Sequence, residues 1–489
     1  MSSVSYSKLS IERVTKVLSV VLVVYGFICI ALYLKFSVGM LQSTYQADYG
    51  EGFMWYLSSV LAHGHNIYHS LNQSPYVTID YTPIGYLVPA LVIKIFGSSL
   101  AAGRTVSFVC SLLCSILIYF IVRRITDRKA PAFLASVFPL SIGFYGTWSM
   151  VFRVDMLGLF FTLAGIFIVV KYLDSKKILW SVPCFLLALF TKQGFLAAPL
   201  AVMTYLFFKD RKRFYKFTGL MLVGGLLLIG FFTLIFGKYF LIQTFSEGTA
   251  PYILKNGISQ FLTSLACIPV ILSLVIIYIV YKFKEKKWNF LSIYFVWALI
   301  FNFILLLQVG TGLNSSLELW SVGAIIVGVL LGNWLKRLDF KRYYQTALIV
   351  LLLILPVGMG AFNYNRYVLS GPSTAYTKVE SSIDNVSGPV FSEDGTLLME
   401  TGKPVLWAPA DFVQGNFYKR FWDQTTLVNE LSSGYFDLVI LNYNVSNWWG
   451  PNIDLVSHQR LTEGMATAIV NSYHLDYSIT GYWVYSPNR

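Results

Sequence analysis

Charge is scarce in this chain. Only 12% of its 489 residues are Asp, Glu, Lys or Arg, about half the share of a soluble protein, which excludes an ordinary water-soluble fold. Cysteine carries no framework either. Cys29, Cys110, Cys114, Cys184 and Cys267 all lie inside apolar stretches. Cys110 and Cys114 share a helix face, but no second pair or nearby histidine completes a metal set. All five read as small apolar residues, and a cysteine-free C-terminal region says nothing about redox compartment. No small-residue cleavage site follows the first apolar run, which exceeds a signal-peptide core, so that run is expected to stay as an anchor. A D-x-D nucleotide-sugar motif, internal repeats, low-complexity tracts and heptads are also missing. Gly310 and Gly312 begin like a dinucleotide loop but lack the third glycine and the strand context.

What remains is apolar. The chain is 56% hydrophobic and 17% aromatic, with mean hydropathy +0.62, as befits a polytopic membrane protein with interfacial aromatic belts. About eleven spans are expected, at 17–36, 99–122, 130–148, 156–170, 178–190, 195–208, 217–236, 261–281, 290–308, 319–334 and 344–362. A long first outer loop, 37–98, should hold interfacial helices at 53–61 and 83–96. A second loop is expected at 237–259.

The net charge of +13 invites a nucleic-acid reading. The basic residues instead cluster in every second turn, as at Arg123, Arg124, Arg128 and Lys129, or Lys282, Lys284, Lys286 and Lys287. This is the positive-inside pattern. It places the N-terminus in the cytoplasm and the C-terminus outside, in a plasma, inner or ER membrane. From about residue 363 the composition becomes soluble. Strands are expected at 389–392 and 436–441, helices at 424–431 and 455–472, and a hairpin about Gly481 over 474–485. The expected fold is an all-α polytopic membrane module, 1–362, followed by a small α/β extracytoplasmic domain, 363–489.

This topology puts a chemistry-bearing set on one side: Asp48, Glu51, Arg104, Arg153, Asp155, Lys192, Asn314 and Glu318. Asp48 and Glu51 end a long acid-free run, in YQADYGEGFMWY just beyond the first span. Acids beside lipid yet within reach of water suit proton transfer, although two ordinary loop carboxylates would look the same. Arg153 and Asp155 open a helix, where an acid also suits the helix dipole. Lys192 lies alone between apolar segments, and a buried cation calls for a phosphate or carboxylate partner. Arg104, one turn into a span, is a second phosphate candidate or an acid's partner. Asn314 and Glu318 share a helix face. His63, His65 and His69 flank no acidic cluster, so no metal or other cofactor is expected, and activity is expected to survive chelation.

Several stretches of residues 10–360 carry a resemblance: DYGEG after the first span, then YTPIGYLV, LAAGR, RVDMLGLFFTLAG, TKQGFLAAPLA and GLNSSLELW. In this order the chain resembles the GT-C glycosyltransferases, family 39-like, of the dolichyl-phosphate-mannose-protein mannosyltransferase type. FSEDGTLLMETGKPV and FDLVILN are similar to the outer domain of one branch. The resemblance implies transfer of a sugar from a polyprenyl-phosphate carrier to a hydroxyl on the non-cytoplasmic face, with inversion. An acid of the first loop would serve as base. The usual motif has two adjacent acids. Here Glu51 aligns with the second, Gly50 stands where the first belongs, and Asp48 is displaced by two, so either could be the base, with Asp48 favoured. The implied partners are a polyprenyl-phosphate-linked sugar, a glycan, lipid or protein acceptor, and the bilayer, with no nucleic acid. A flippase or transporter of lipid-linked glycans is the alternative; it calls for inverted repeats, and none is seen. A membrane-anchored binding protein led by its outer domain is the third reading.

Overall fold

The computed structural model describes residues 3–247, 252–284, 289–308, 310–334, 374–407, 420–446 and 461–488. The expected last span, 344–362, and the boundary at 362/363 lie outside the described residues.

The body is helical, in chain order α1 (Ser3–Gln42), α2 (Glu51–Ala62), α3 (Ile84–Phe96), α4 (Leu100–Thr126), α5 (Lys129–Val137), α6 (Gly143–Trp148), α7 (Asp155–Lys171) and α8 (Val182–Leu189). Then follow α9 (Ala197–Lys209), α10 (Arg211–Phe236), α11 (Lys238–Ile242), α12 (Leu254–Ala266), α13 (Pro269–Lys284), α14 (Phe290–Leu306) and α15 (Leu317–Trp334). Polar caps mark several starts. Ser99 accepts from the Ala102 amide, Asp210 from Arg213 and Asn289 from Ser292, each satisfying an amide that the helix leaves unpaired.

By length and composition four stretches can cross a bilayer among the described residues: Val23–Gln42, Leu100–Thr126, Arg211–Phe236 and Leu313–Asn333. A fifth is added if α12 and α13, bent by 87° at Cys267–Ile268, count as one. The protein is therefore an integral membrane protein with several apolar spans. α15 is central, with 89% of its window buried, whereas α10 has 17% and turns Leu226, Leu227 and Leu234 outward, as a lipid-facing helix should. Packing inside is close. A Cβ on Gly328 of α15 would sit 2.6 Å from the Ala135 Cβ of α5, the small-residue contact on which membrane helices rely.

Four expectations are corrected. The first span continues to Gln42, so residues 37–42 are helix rather than loop. The third span, 130–148, is broken into α5, a 3-10 turn at Pro139–Ser141 and α6, because Pro139 cannot continue the α-helical hydrogen bonding. The span at 261–281 is split by the 87° bend. The loop at 237–259 is largely ordered, as α11, a π turn at Gln243–Glu247 and the start of α12.

The C-terminal part is a small mixed sheet, β1 (Val390–Ser392), β2 (Leu438–Leu441), β3 (Tyr473–Ile479) and β4 (Tyr482–Pro487), in the order β1-β2-β4-β3. β1 and β2 are parallel, with Phe391 opposite Val439; β2–β4 and β4–β3 are antiparallel. Helices Thr374–Asp384, Gly395–Glu400, Thr425–Ser432 and Glu463–Ser472 accompany it. Of the expected helix 455–472, residues 463–472 are helical, 461 and 462 precede the helix, and 455–460 lie outside the described residues. This unit shares a core with the first loop: Phe53 and Met54 of α2 cluster with Val379, Ile383, Leu397 and Ile440. The approach depends on Gly52, where a Cβ would meet the Thr396 amide nitrogen at 2.2 Å. Gly52 thus serves contact rather than loop freedom.

Candidate active site

Two acid–cation pairs stand on the first loop, and they differ. Glu51 opens α2 and lies fully buried against Arg104 of α4. Arg104 Nε donates to Glu51 Oε1 at 2.9 Å and Nη2 to Oε2 at 2.7 Å. The amides of Phe152 and Ala47 donate to the same two oxygens, at 2.7 and 2.6 Å. Arg104 spends its remaining donors on the carbonyls of Met40, Ser43 and Tyr45. Burial pushes the Glu51 carboxyl up, but the Arg104 charge and these hydrogen bonds outweigh it and hold the group below the usual range. The expectation that Arg104 faces a phosphate is corrected: it is 0% exposed and its donors are occupied inside the protein.

Asp48 sits at the turn before α2. Its Oδ2 accepts from the Gly50 amide at 3.1 Å and lies 3.4 Å from Arg153 Nη1. Burial raises this carboxyl above the ordinary value, against the pull of Arg153. Gly50 matters here, because a Cβ would overlap the Arg153 guanidinium. That guanidinium donates to the Tyr81 hydroxyl at 3.2 Å and lies over the Tyr49 and Tyr81 rings.

Lys192 comes from the turn after α8. Its Nζ is 2.6 Å from Asp155 Oδ1 and 5.7 Å from the Tyr81 ring centroid. Asp155, the first residue of α7, also accepts from Asn314 Nδ2 at 3.1 Å. Tyr81 therefore stands between two cations, a role that nothing in residue type or spacing announced; the only signal was its place in YTPIGYLV. Arg153, Lys192, Asn314, Tyr49 and Tyr81 line a cavity of about 410 Å³. Asp48 does not line it, although Tyr49 and Gly50 do, and neither do Asp155 and Glu318. They border a pocket of about 20 Å³ behind, together with Asn302 and Asn314, and Glu318 accepts from Tyr294 at 3.0 Å.

The histidines stay apart. His63 and His69 bond nearby carbonyls, of Ser59 and Ser70. Among the described residues, no group of three or more His, Cys, Asp or Glu side chains is placed to hold a metal ion.

Residues 80–236 match the family model of dolichyl-phosphate-mannose-protein mannosyltransferase. No curated protein matches the chain in sequence. In fold, the chain is similar to the crystal structure of ArnT from Cupriavidus metallidurans bound to undecaprenyl phosphate. The TM-score is 0.63 at 12% identity, over 94% of this chain and 98% of that one. The same protein in the apo state gives 0.61 at 12%, over 94% and 97%. The Archaeoglobus fulgidus oligosaccharyltransferase in complex with Zn and sulfate gives 0.53 at 11%, over 93% and 73%. The family match covers about a third of the chain, and the structural likenesses, all at 11–12% identity, show a fold shared with ArnT.

Proposed function

We propose that this protein moves a sugar from a polyprenyl-phosphate carrier to an acceptor hydroxyl on the non-cytoplasmic face, with inversion at the anomeric carbon. In this reading, residues 1–362 form the catalytic membrane module with about eleven crossings, the short and broken helices completing the count. Residues 363–489 form an outer domain that holds the first loop. The observation that carries the reading is the meeting of Lys192 and Arg153 on one cavity, with the Asp48 carboxylate against Arg153.

Asp48 takes the proton of the acceptor hydroxyl. The oxygen attacks the anomeric carbon as the bond to the phosphate oxygen breaks, and polyprenyl phosphate leaves as an anion facing Lys192 and Arg153. Phosphate is already a good leaving group, so no proton donor is needed, unlike in a glycosidase with two carboxyls. Asp155 and Asn314 position Lys192, and Glu318 supports that arrangement from behind. Glu51 and Arg104 fix the loop rather than touch substrate.

The test is purified protein with labelled polyprenyl-phosphate mannose and a pool of glycan, lipid and protein acceptors. Transfer of label to an acceptor is expected. Lipid movement across vesicles without transfer would overturn the reading.

A further inference from the structure

One wall of the cavity carries polar groups that the transfer chemistry does not use. It is made by residues 77–80 of the first loop and by the π turn at Gln243–Glu247. Two amides clamp the 77–80 backbone. Gln243 accepts from the Ile79 amide at 3.1 Å and donates to the His69 carbonyl at 2.6 Å. Gln193 donates to the Asp80 carbonyl at 3.2 Å.

On this wall Thr78 and Thr244 are 5% and 4% exposed; the Thr78 hydroxyl has no hydrogen-bond partner, and the Thr244 hydroxyl has only the Tyr68 hydroxyl beside it. The Tyr68 hydroxyl donates to the Tyr81 carbonyl at 3.1 Å and can accept the proton of Thr244. Other fully buried threonines behave differently. Thr126, Thr162 and Thr191 return their hydroxyls to the carbonyls of Val122, Gly158 and Leu187. A buried hydroxyl with no partner is destabilising, so Thr78 calls for an occupant of the cavity, and Thr244, whose proton can go to Tyr68, keeps its lone pairs for the same occupant. Each can donate and accept, which suits the hydroxyls of a neutral sugar ring, while Lys192 and Arg153 suit the phosphate.

We propose that Thr78 and Thr244 form a sugar-reading subsite, each hydrogen-bonded to a hydroxyl of a neutral glycosyl group on the donor. This rests on the function proposed above. The test measures binding of undecaprenyl phosphate and of undecaprenyl-phosphate mannose to the full chain in detergent micelles, with melting temperature as a folding control. Thr78→Val and Thr244→Val keep side-chain shape but lose the hydroxyl. Each is expected to weaken binding of the mannosylated lipid about 3–10-fold and to leave the bare lipid unchanged. Thr78→Ser should restore most of the affinity. Equal losses for both lipids, or none for either, would overturn the subsite. So would a wild-type protein that binds the bare lipid but gains nothing from the sugar. A wild-type protein that binds neither lipid would overturn the proposed function itself, and the subsite with it.

Discussion

Glu51 and Asp48 are three residues apart, both beside an arginine, and the structure treats them oppositely. Glu51 receives four hydrogen bonds in a sealed pocket, from Arg104, Phe152 and Ala47. Asp48 receives one amide, and its arginine stands off at 3.4 Å. Glu51 is fully buried while the Asp48 side chain is 14% exposed, and saturation separates them further. A carboxylate held low by a full set of donors is a poor base, whereas one raised by burial has more affinity for a proton and still some access. On the function proposed above, the first is scaffold and the second is the base.

The largest expected effect tests the reactive member. Asp48→Asn should lower kcat by about 10²–10⁴-fold while the dissociation constant of the donor stays near wild type, read by transfer assay and equilibrium binding. Next comes the scaffold. Glu51→Gln leaves Arg104 charged and buried without a counter-charge, so stability should fall by about 3–5 kcal/mol, seen as a lower melting temperature in detergent. Lys192→Ala removes a charge that lines the cavity and should raise the donor dissociation constant about 10–100-fold with a smaller change in kcat.

The pH response is subtler and has two signs. Asp48 is raised in the folded protein, so its contribution to stability is present below its unfolded value and is lost as pH rises through the folded one. Activity needs the ionised form and should rise over that same window, above the ordinary value of 3.8. Asp48→Asn should flatten both profiles. Smallest of all, EDTA should leave turnover unchanged, measured with and without added Mn²⁺ or Mg²⁺. A loss restored by metal would revive the histidines of the first loop.

Much of the fold could be read from the sequence where pattern and composition suffice. The helix expected at 83–96 is α3, and the hairpin about Gly481 is β3–β4. Continuity could not be read. Hydropathy over 130–148 and 261–281 reports how apolar a stretch is, and is blind to a break at Pro139 or a bend at Cys267. The site was half legible. Lys192 announced itself as a lone cation between apolar segments and Arg153 as one of a pair with Asp155 at a helix start, and both line the cavity. The partner of Glu51 did not, because Arg104 lies 53 positions away and packing of α2 against α4 brings it in. The one signal was an arginine one turn into an apolar span with no counter-charge in its own sequence. Thr78 and Thr244 gave none, since a threonine's unmet hydrogen bond exists only in three dimensions.

Turnover per folded molecule, measured side by side for Asp48→Asn and Glu51→Gln with saturating polyprenyl-phosphate mannose and acceptor, tests the roles of the two carboxylates most directly. The folded fraction would be taken from size-exclusion and thermal melting. The division of roles drawn here predicts that Asp48→Asn is folded and nearly inactive, while the surviving folded Glu51→Gln keeps turnover within about tenfold of wild type. A folded Asp48→Asn with normal turnover, beside a folded Glu51→Gln with none, would contradict it.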